Sequence, residues 1–324
     1  MKKIVFIFTF VFAILAGSVV VYREGTLPVN REDTSPLTFI VRKGDSVNTI
    51  INNLAMERLI RNRIVTYGII KQMGIDKKIQ AGSFKLNRAM DNFEITKALT
   101  KATDDVWVSV REGLRKEEVA DIFAKDLPSF VASEFISKAE EGYLFPDTYL
   151  VPKSADADFM IRLMKNTFKD KLSEDIVTKY KALKLTEKEL VILASLVERE
   201  AVSSLDRQPI ASVLLRRLRE PMRLQVDATV QYALGYQNDL KSWWKNPLYF
   251  EDLEVESPYN TYQRDGLPKG PISSPGLASI QAVADADPNT KYLFYVHDSQ
   301  RNAHFASDIN EHNANVEKYV NGTK

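Results

Sequence analysis

The sequence predicts an α+β protein with an apolar N-terminal segment, a small α+β unit and a larger mixed α+β domain. With 324 residues, 44% of them hydrophobic and 27% charged, the chain has the composition of a globular protein and the length for two or three domains. Helical periodicity alternates with short β-type runs, such as 38–42 and 292–296, throughout the chain. This alternation predicts the α+β class.

Charge and composition exclude several function classes. A net charge of +1 gives no indication of nucleic acid or of a strongly acidic partner. The absence of cysteine excludes disulfides and thiolate chemistry. The three histidines, His297, His304 and His312, are too unevenly spaced for a metal signature. We therefore expect no metal and no cofactor.

The N-terminus predicts a transmembrane helix. The run Ile4–Tyr22 carries no charge, and its 19 residues would span roughly 28 Å as a helix, close to a bilayer core of about 30 Å. Lys2 and Lys3 precede it, which predicts a cytoplasmic tip and a body exported across the cytoplasmic membrane. A cleaved signal peptide is the alternative, with small residues at 16–18, but the apolar run continues past that site and favours a retained single-pass anchor.

The chain divides into segments that differ in composition and hydrophobic pattern. Residues 1–23 form the tip and anchor, and the polar, proline-bearing segment 24–37 is a linker. Residues 38–103 form the small unit, with strands at 38–42 and 81–86. The larger domain covers 104–324, with its core predicted at about 185–324.

The most distinct helix of the larger domain covers residues 185–202. Thr186 and Glu189 form a capping box at its start. Apolar side chains recur on one face of the helix, and Glu198 falls inside that stripe. Glu200 projects about 160° away from Glu198, because two residues advance about 200°. The pattern therefore points one acid, Glu198, into the core or a cleft.

A carboxyl group on an apolar face favours its neutral form, which suits a general acid near neutral pH. The alternative is a structural Glu198 paired with a buried Arg or Lys. On the helix pattern alone the structural alternative is favoured. The rest of the chain has to decide between the two.

Beyond Pro221 the chain becomes aromatic and loop-rich. Flat aromatic rings together with amides and carboxylates suit a polysaccharide cleft, because rings cover the apolar faces of sugars and polar groups bind the hydroxyls. Any single one of these rings can equally be part of the core. The eight aromatic residues between positions 232 and 262 are Tyr232, Tyr236, Trp243, Trp244, Tyr249, Phe250, Tyr259 and Tyr262.

Several motifs in order resemble the endolytic murein transglycosylases of the MltG (YceG-like) family. They are E-G-Y-L-F-P-D-T-Y at 141–149, A-S-L-V-E-R-E-A at 194–201, M-R-L-Q-V-D-A-T-V at 222–230, S-P-Y-N-T-Y at 257–262, G-L-P-K-G-P-I-S-S-P-G at 266–276 and E-H-N at 311–313. The unit at 38–103 looks like the membrane-proximal LysM-like module of that family, through its K-G-D-S turn and its A-G-S-F strand. The sequence departs from the family pattern at His304 and in the longer segment Lys241–Glu256.

The resemblance implies lytic cleavage of the β-1,4 bond between N-acetylmuramic acid and N-acetylglucosamine, leaving a 1,6-anhydro end. It implies peptidoglycan glycan strands as substrate, a role in terminating glycan elongation, and peptidoglycan synthases as partners. Glu198 matches the catalytic glutamate, and a lytic enzyme needs no second carboxylate because the 6-hydroxyl of the substrate attacks C1. The motif positions expected along the glycan cleft are Gln225, Asp227, Thr229, Tyr259, Asn260, Thr261 and Tyr262.

Two rival functions remain open. A membrane-tethered glycan-binding or scaffold protein would keep the aromatic cleft but would not need Glu198. A hydrolytic muramidase would use Glu200 or Asp227 as a second carboxylate. The mass of the product distinguishes the two enzymes, since an anhydro end is lighter than a hydrolysed end by one water.

Overall fold

The structure is a computed structural model, and it describes residues 2–42, 44–101 and 105–322. The side chains of residues 2–8, 11, 13 and 14 are also not described. Lys43 of the predicted turn and the predicted boundary at residues 103 and 104 lie outside the described residues.

Within the described residues, the chain forms helices and three two-stranded sheets. The helices are α1 (Lys2–Thr26), α2 (Val47–Met56), α3 (Arg63–Gln72), α4 (Asn92–Ala98), α5 (Lys116–Asp126), α6 (Ala132–Lys138), α7 (Ala157–Lys171), α8 (Glu174–Ala182), α9 (Glu187–Glu200), α10 (Arg207–Arg219), α11 (Asp227–Leu234), α12 (Leu277–Ala284) and α13 (Ile309–Val316). The strands are β1 (Leu37–Val41), β2 (Gly82–Leu86), β3 (Asp105–Ser109), β4 (Thr148–Pro152), β5 (Phe294–His297) and β6 (Ala303–Ala306). The predicted α+β class is confirmed.

The chain divides into two compact units, 1–107 with 150–153, and 108–149 with 154–324. The division falls inside β3 and β4, which pair in one sheet. The linker and domain limits predicted from the sequence stay predictions.

The N-terminal residues form one helix, α1. Among the residues that the structure describes, no helix combines the length and the apolar character needed to cross a membrane. The transmembrane span expected at Ile4–Tyr22 is therefore not supported by the structure.

In the first unit, β1, α2, α3 and β2 follow one another, and the two strands pair antiparallel with Phe39 opposite Phe84. Both phenylalanines are buried, because alternate residues of each strand face the helices. Asp91 and Glu94 form a capping box at the start of α4.

In the second unit, α9 is the central helix and packs against α10, α11 and α12. All eight residues from Leu190 to Val197 are buried. The predicted capping box is present, since Glu189 donates its N–H to Thr186 Oγ1 at 3.2 Å and accepts from the Thr186 N–H at 2.8 Å. A helix that is buried on every side lies in the middle of a core, and only its two ends reach solvent or a cleft.

The loop 266–276 is attached to α9 by main-chain and side-chain hydrogen bonds. Ser195 Oγ accepts from the N–H of Ile272 at 3.1 Å, and the Ser273 hydroxyl donates to the Ser195 carbonyl at 3.3 Å. Gly142 lies against this loop. Its φ is +85°, and a Cβ there would lie 2.5 Å from Pro271 of the loop. The E-G-Y turn therefore accepts only glycine at this position.

Candidate active site

Glu200 is the last residue of α9, and its carboxyl group lines a cavity of about 380 Å³. Burial raises the pKa of Glu200 to about 7, and the charge of Asp227 adds to this. The hydrogen bond from the Tyr295 hydroxyl, 3.0 Å from Oε2, acts in the opposite direction, as do the charge of Arg199 and a hydrogen bond from the N–H of Ala228. The carboxyl group is therefore partly protonated at neutral pH, as a general acid needs to be.

Asp227 and Tyr262 line the same cavity as Glu200. The Tyr262 hydroxyl donates to Asp227 Oδ1 at 2.5 Å. Burial and the neighbouring Asp227 raise the pKa of Tyr262, so the phenol stays a hydrogen-bond donor. Asp227 opens α11, and its carboxylate lies close enough to Glu200 to interact with it electrostatically.

Gln225 also lines the cavity, two residues before α11. Its φ of +51° places it in the left-handed region, which is unusual for glutamine. The conformation is held by the N–H of Gln225, which donates to the Thr261 carbonyl at 3.2 Å. Val226 is buried between Gln225 and Asp227, so alternate residues face the cavity and the core.

Thr229, Asn260 and Thr261 do not line this cavity. All three are at most 1% exposed. Thr261 Oγ1 accepts from the N–H of Val226 at 3.0 Å and lies 2.9 Å from Thr229 Oγ1. Thr229 and Thr261, expected along the glycan cleft, instead join the S-P-Y-N-T-Y segment to the start of α11. Asn260, also expected there, accepts from the N–H of Tyr262 at 2.9 Å.

Tyr259 lies apart from the cavity as well. Its ring packs on Tyr232 with centroids 4.7 Å apart, and the Tyr232 hydroxyl donates to Glu141 Oε2 at 3.3 Å. The guanidinium of Arg115 lies 4.0 Å from the centroid of Tyr232. Of the seven predicted cleft residues, the structure brings Gln225, Asp227 and Tyr262 together at the cavity.

Glu198 points to a different side of α9 from Glu200. Its side chain is 6% exposed, its Oε1 lies 3.6 Å from Arg207 Nη2, and its Oε2 accepts from the N–H of Gly276 at 2.9 Å. Glu112 lies beside it, and burial first and then the charge of Glu198 raise the pKa of Glu112. This is the paired, structural arrangement that the sequence left open.

The structure places Glu198 away from the cavity, and there is a physical reason why the sequence pattern pointed to it. The phase argument assumed one apolar stripe, but the middle of α9 is buried on all sides and has no single inner face. Both acids leave the last turn of the helix, and they project on opposite sides as the 200° advance requires. Glu200 is the acid that meets Gln225, Asp227 and Tyr262.

The other wall of the cavity was not predicted. It is formed by α10, β5 and α13, through Arg217, Phe294, Tyr295, Val296, His297, Ile309 and His312. Arg217 is 7% exposed and donates to the carbonyls of Leu293 and Leu224 at 2.6 and 2.7 Å. Burial lowers the pKa of His297 and of His312, so both imidazoles are neutral around neutral pH. The E-H-N motif at 311–313 is a signal that could have assigned His312 to the site.

The two tryptophans of the long segment Lys241–Glu256 pack against two arginine side chains. The Arg199 guanidinium lies 3.7 Å from the ring centroid of Trp244, and that of Arg115 lies 4.5 Å from the centroid of Trp243. Trp244 Nε1 donates to Glu118 at 3.1 Å. These two rings are therefore occupied by cation–π contacts within the protein.

His304 takes part in neither this cluster nor the cavity. It lies 3.0 Å from Asp298 Oδ2 and stacks on Tyr319 with centroids 3.6 Å apart. The hydrogen bonds of His304 and Asn302 hold the pKa of Asp298 well below its usual range. This group has a structural role in the β5–β6 hairpin and its neighbouring turn.

Comparisons with known proteins identify relatives along nearly the whole chain. The model of the YceG-like family matches residues 39–318. The endolytic murein transglycosylase of Bacillus subtilis (strain 168) is 30% identical over 340 residues, covering 95% of this chain and 91% of the relative. The endolytic murein transglycosylase of Streptococcus pneumoniae serotype 2 (strain D39) is 25% identical over 339 residues, covering 92% of this chain and 61% of the relative.

A solved structure gives the same result at the level of the fold. The 2.6 Å crystal structure of a YceG-like protein from Listeria monocytogenes superposes with a TM-score of 0.54 at 27% identity, covering 86% of this chain and 99% of that one. The family match, the sequence relatives and this structural likeness agree. The chain belongs to the YceG-like family.

Proposed function

We propose that this chain is an endolytic murein transglycosylase, which cleaves the β-1,4 bond between N-acetylmuramic acid and N-acetylglucosamine inside glycan strands. Relatives of that name match nearly all of the chain. The observation that carries the proposal is the position of Glu200, with its pKa raised to about 7, in a cavity that also contains Asp227 and Tyr262. We assign the general acid to Glu200, in place of Glu198.

The reaction needs one group that gives a proton and then takes one back. Protonated Glu200 donates to the glycosidic oxygen while the bond from C1 to that oxygen breaks. The 6-hydroxyl of the same muramic acid attacks C1, and its proton passes to the Glu200 carboxylate. The product is a 1,6-anhydro end and a free 4-hydroxyl, with no water consumed and Glu200 protonated again.

The other residues of the cavity have supporting roles in this proposal. The amide of Gln225 and the Asp227–Tyr262 pair are polar groups that bind sugar hydroxyls and the acetamido group near the scissile bond. Asp227 also keeps Glu200 protonated to a higher pH, because two nearby carboxylates resist joint ionisation. Thr229, Asn260 and Thr261 support these groups from behind, whereas Tyr259 packs on Tyr232 outside the cavity.

The decisive experiment compares two glutamate-to-glutamine variants on one helix. Purified protein starting at residue 24 is incubated with glycan strands, and the muropeptide ends are analysed by mass. Glu200→Gln should lose about 10²- to 10⁴-fold in rate, whereas Glu198→Gln, per folded molecule, should keep its rate within about tenfold. Full activity in a folded Glu200→Gln variant would exclude Glu200 as the acid.

A hydrolytic muramidase is the second candidate, and one observation favours it: Asp227 is a second carboxylate at the same cavity. In that case Asp227 would act on water or on C1, and the new ends would carry one more water. The same mass analysis separates the two reactions. A non-catalytic scaffold would leave glycan strands uncut, whichever glutamate is present.

Location and accessory contacts belong to the same proposal. The uncharged run at 4–22 after two lysines supports a single-pass anchor in the cytoplasmic membrane with the enzyme on the extracytoplasmic side. The order β1, α2, α3, β2 supports a LysM-like, glycan-contacting role for the first unit. Cleavage of nascent strands at the membrane surface would end glycan elongation and make peptidoglycan synthases natural partners.

A further inference from the structure

Tyr295 connects the β5–β6 hairpin to the candidate acid. It lies within β5, opposite Phe305 of β6, and its ring packs against Phe305 and His297 with centroids 6.2 and 5.9 Å away. The hydroxyl donates to Glu200 Oε2 at 3.0 Å. A residue 95 positions away in the chain thus fixes one oxygen of the carboxyl group at the end of α9.

The direction of this hydrogen bond is fixed. Burial, and then the charge of Glu200, raises the pKa of Tyr295 well above the usual value for tyrosine. The phenol therefore keeps its proton at every pH at which the enzyme could work, and acts as a donor to the carboxyl group. A carboxylic acid that accepts a hydrogen bond on Oε2 carries its own proton preferentially on Oε1.

We propose that Tyr295 is a positioning residue that keeps the transferable proton of Glu200 on Oε1. This inference rests on the proposed role of Glu200. Oε1–H gives its proton to the leaving glycosidic oxygen, and Oε1 later takes the proton of the attacking 6-hydroxyl. Tyr295 keeps its own proton throughout and holds the carboxyl plane, so that the same oxygen faces the bond in both half-steps.

Other charged and titratable groups around Glu200 also affect its pKa, and they have to be considered when the pH dependence of the rate is interpreted. Arg199 on α9 and a hydrogen bond from the N–H of Ala228 lower the pKa of Glu200, and Asp227 on α11 raises it. Arg217 of α10, Tyr262, His297 of β5 and His312 of α13 line the same cavity. Both imidazoles have lowered pKa values and stay neutral above neutral pH. Neither therefore accounts for a change in the alkaline limb of the pH–rate profile.

Tyr295→Phe tests the proposal directly, because phenylalanine keeps the ring and removes only the donor. A hydrogen bond donated to a carboxylate stabilises the ionised form and lowers its pKa. Loss of the bond from Tyr295 should therefore move the alkaline limb of kcat/KM to higher pH by about one to two units. The plateau of kcat should fall by about tenfold, because the carboxyl group loses its fixed orientation. Tyr292→Phe is the matched control: it removes a phenol from the same segment, outside the cavity.

A second variant strengthens the same hydrogen bond. 3-Fluorotyrosine incorporated at position 295 keeps the shape of the residue and is a stronger donor. It should shift the alkaline limb downward relative to wild type, and it gives a result even where Tyr295→Phe does not fold.

The outcomes separate this inference from the proposed function. An unmoved alkaline limb in both position-295 variants, with Glu200→Gln inactive, overturns the role of Tyr295 and leaves Glu200 as the acid. An active Glu200→Gln enzyme overturns both. Shifts in opposite directions for the two position-295 variants, with Tyr292→Phe unchanged, support the proposal.

Discussion

Removing the Glu198 side chain should cost stability and leave the chemistry in place. The carboxylate is 6% exposed and holds two partners, the N–H of Gly276 at 2.9 Å and the Arg207 guanidinium at 3.6 Å. Loss of a hydrogen bond to a charged group costs about 1.5 to 3 kcal/mol, and breaking a buried ion pair costs roughly 3 to 5 kcal/mol. Arg207 is 18% exposed and also donates to Ser279 Oγ at 3.2 Å, which places the cost near the lower figure.

We therefore expect Glu198→Ala to lower the free energy of unfolding by about 3 kcal/mol. Glu198→Gln should cost about 1 to 2 kcal/mol, because its side-chain carbonyl still accepts from Gly276. The nearby Glu112 moderates the loss, since its pKa falls once the charge of Glu198 is gone and its carboxylate can then face Arg207. Urea unfolding at pH 7 gives both free energies.

A double-mutant cycle with Arg207→Met measures the interaction energy between Glu198 and Arg207. The coupling between Glu198→Gln and Arg207→Met should be about 1 kcal/mol or more, because the two side chains lie in direct contact. The contrary result is a Glu198→Gln protein as stable as wild type that has lost 100-fold or more of its activity. That outcome would return the acid to Glu198, as the sequence alone suggested.

Three further predictions concern stability, the scaffold and location. Because the folded pKa of Glu200 is about 7 and its unfolded value is near 4.5, ionisation opposes folding between these values; Glu200→Gln should equal wild type in stability below pH 4 and exceed it by about 3 kcal/mol above pH 7 in thermal or urea unfolding. Thr261→Ala should lose about 2 to 3 kcal/mol and most activity by orphaning buried donors behind Asp227, whereas Thr261→Ser should retain both. Protease added to intact spheroplasts should degrade the chain beyond residue 23, and a protected C-terminal epitope would contradict the proposed topology.

Local features of the sequence predicted much of the fold. The capping box at Thr186 depends on residues three positions apart, and it is present. The strands of the first unit follow from alternating apolar residues, and β1 and β2 lie within one residue of the predicted ranges. Such features can be read from sequence because their partners are neighbours in the chain.

The choice between Glu198 and Glu200 depends on contacts far along the chain. Gly276 and Tyr295, which hold the two carboxylates, are 78 and 95 residues away from them. A central helix with no single apolar face gives no phase from which to choose. The alternation Gln225, Val226, Asp227 was a usable signal, since a two-residue period already separates cavity side chains from core side chains.

The cavity joins two helix ends of opposite polarity, and this arrangement gives the two carboxylates different tasks. Glu200 is the last residue of α9, where the negative end of the helix dipole disfavours an anion and adds to the effect of burial. Asp227 is the first residue of α11, where the positive end favours negative charge. The end of α9 therefore favours the neutral, proton-donating form of Glu200, as a general acid near neutral pH requires.

Asp227→Asn tests this division. The substitution keeps an oxygen to accept from the Tyr262 hydroxyl but removes the charge that raises the pKa of Glu200. The alkaline limb of the rate should therefore move to lower pH, opposite to the shift expected for Tyr295→Phe, and stability at pH 8 should rise because Glu200 then ionises at less cost. A limb that stays in place would mean that Asp227 does not act on Glu200 through its charge, while a switch in product mass from hydrolysed to anhydro ends would identify Asp227 as the second carboxylate of a hydrolase.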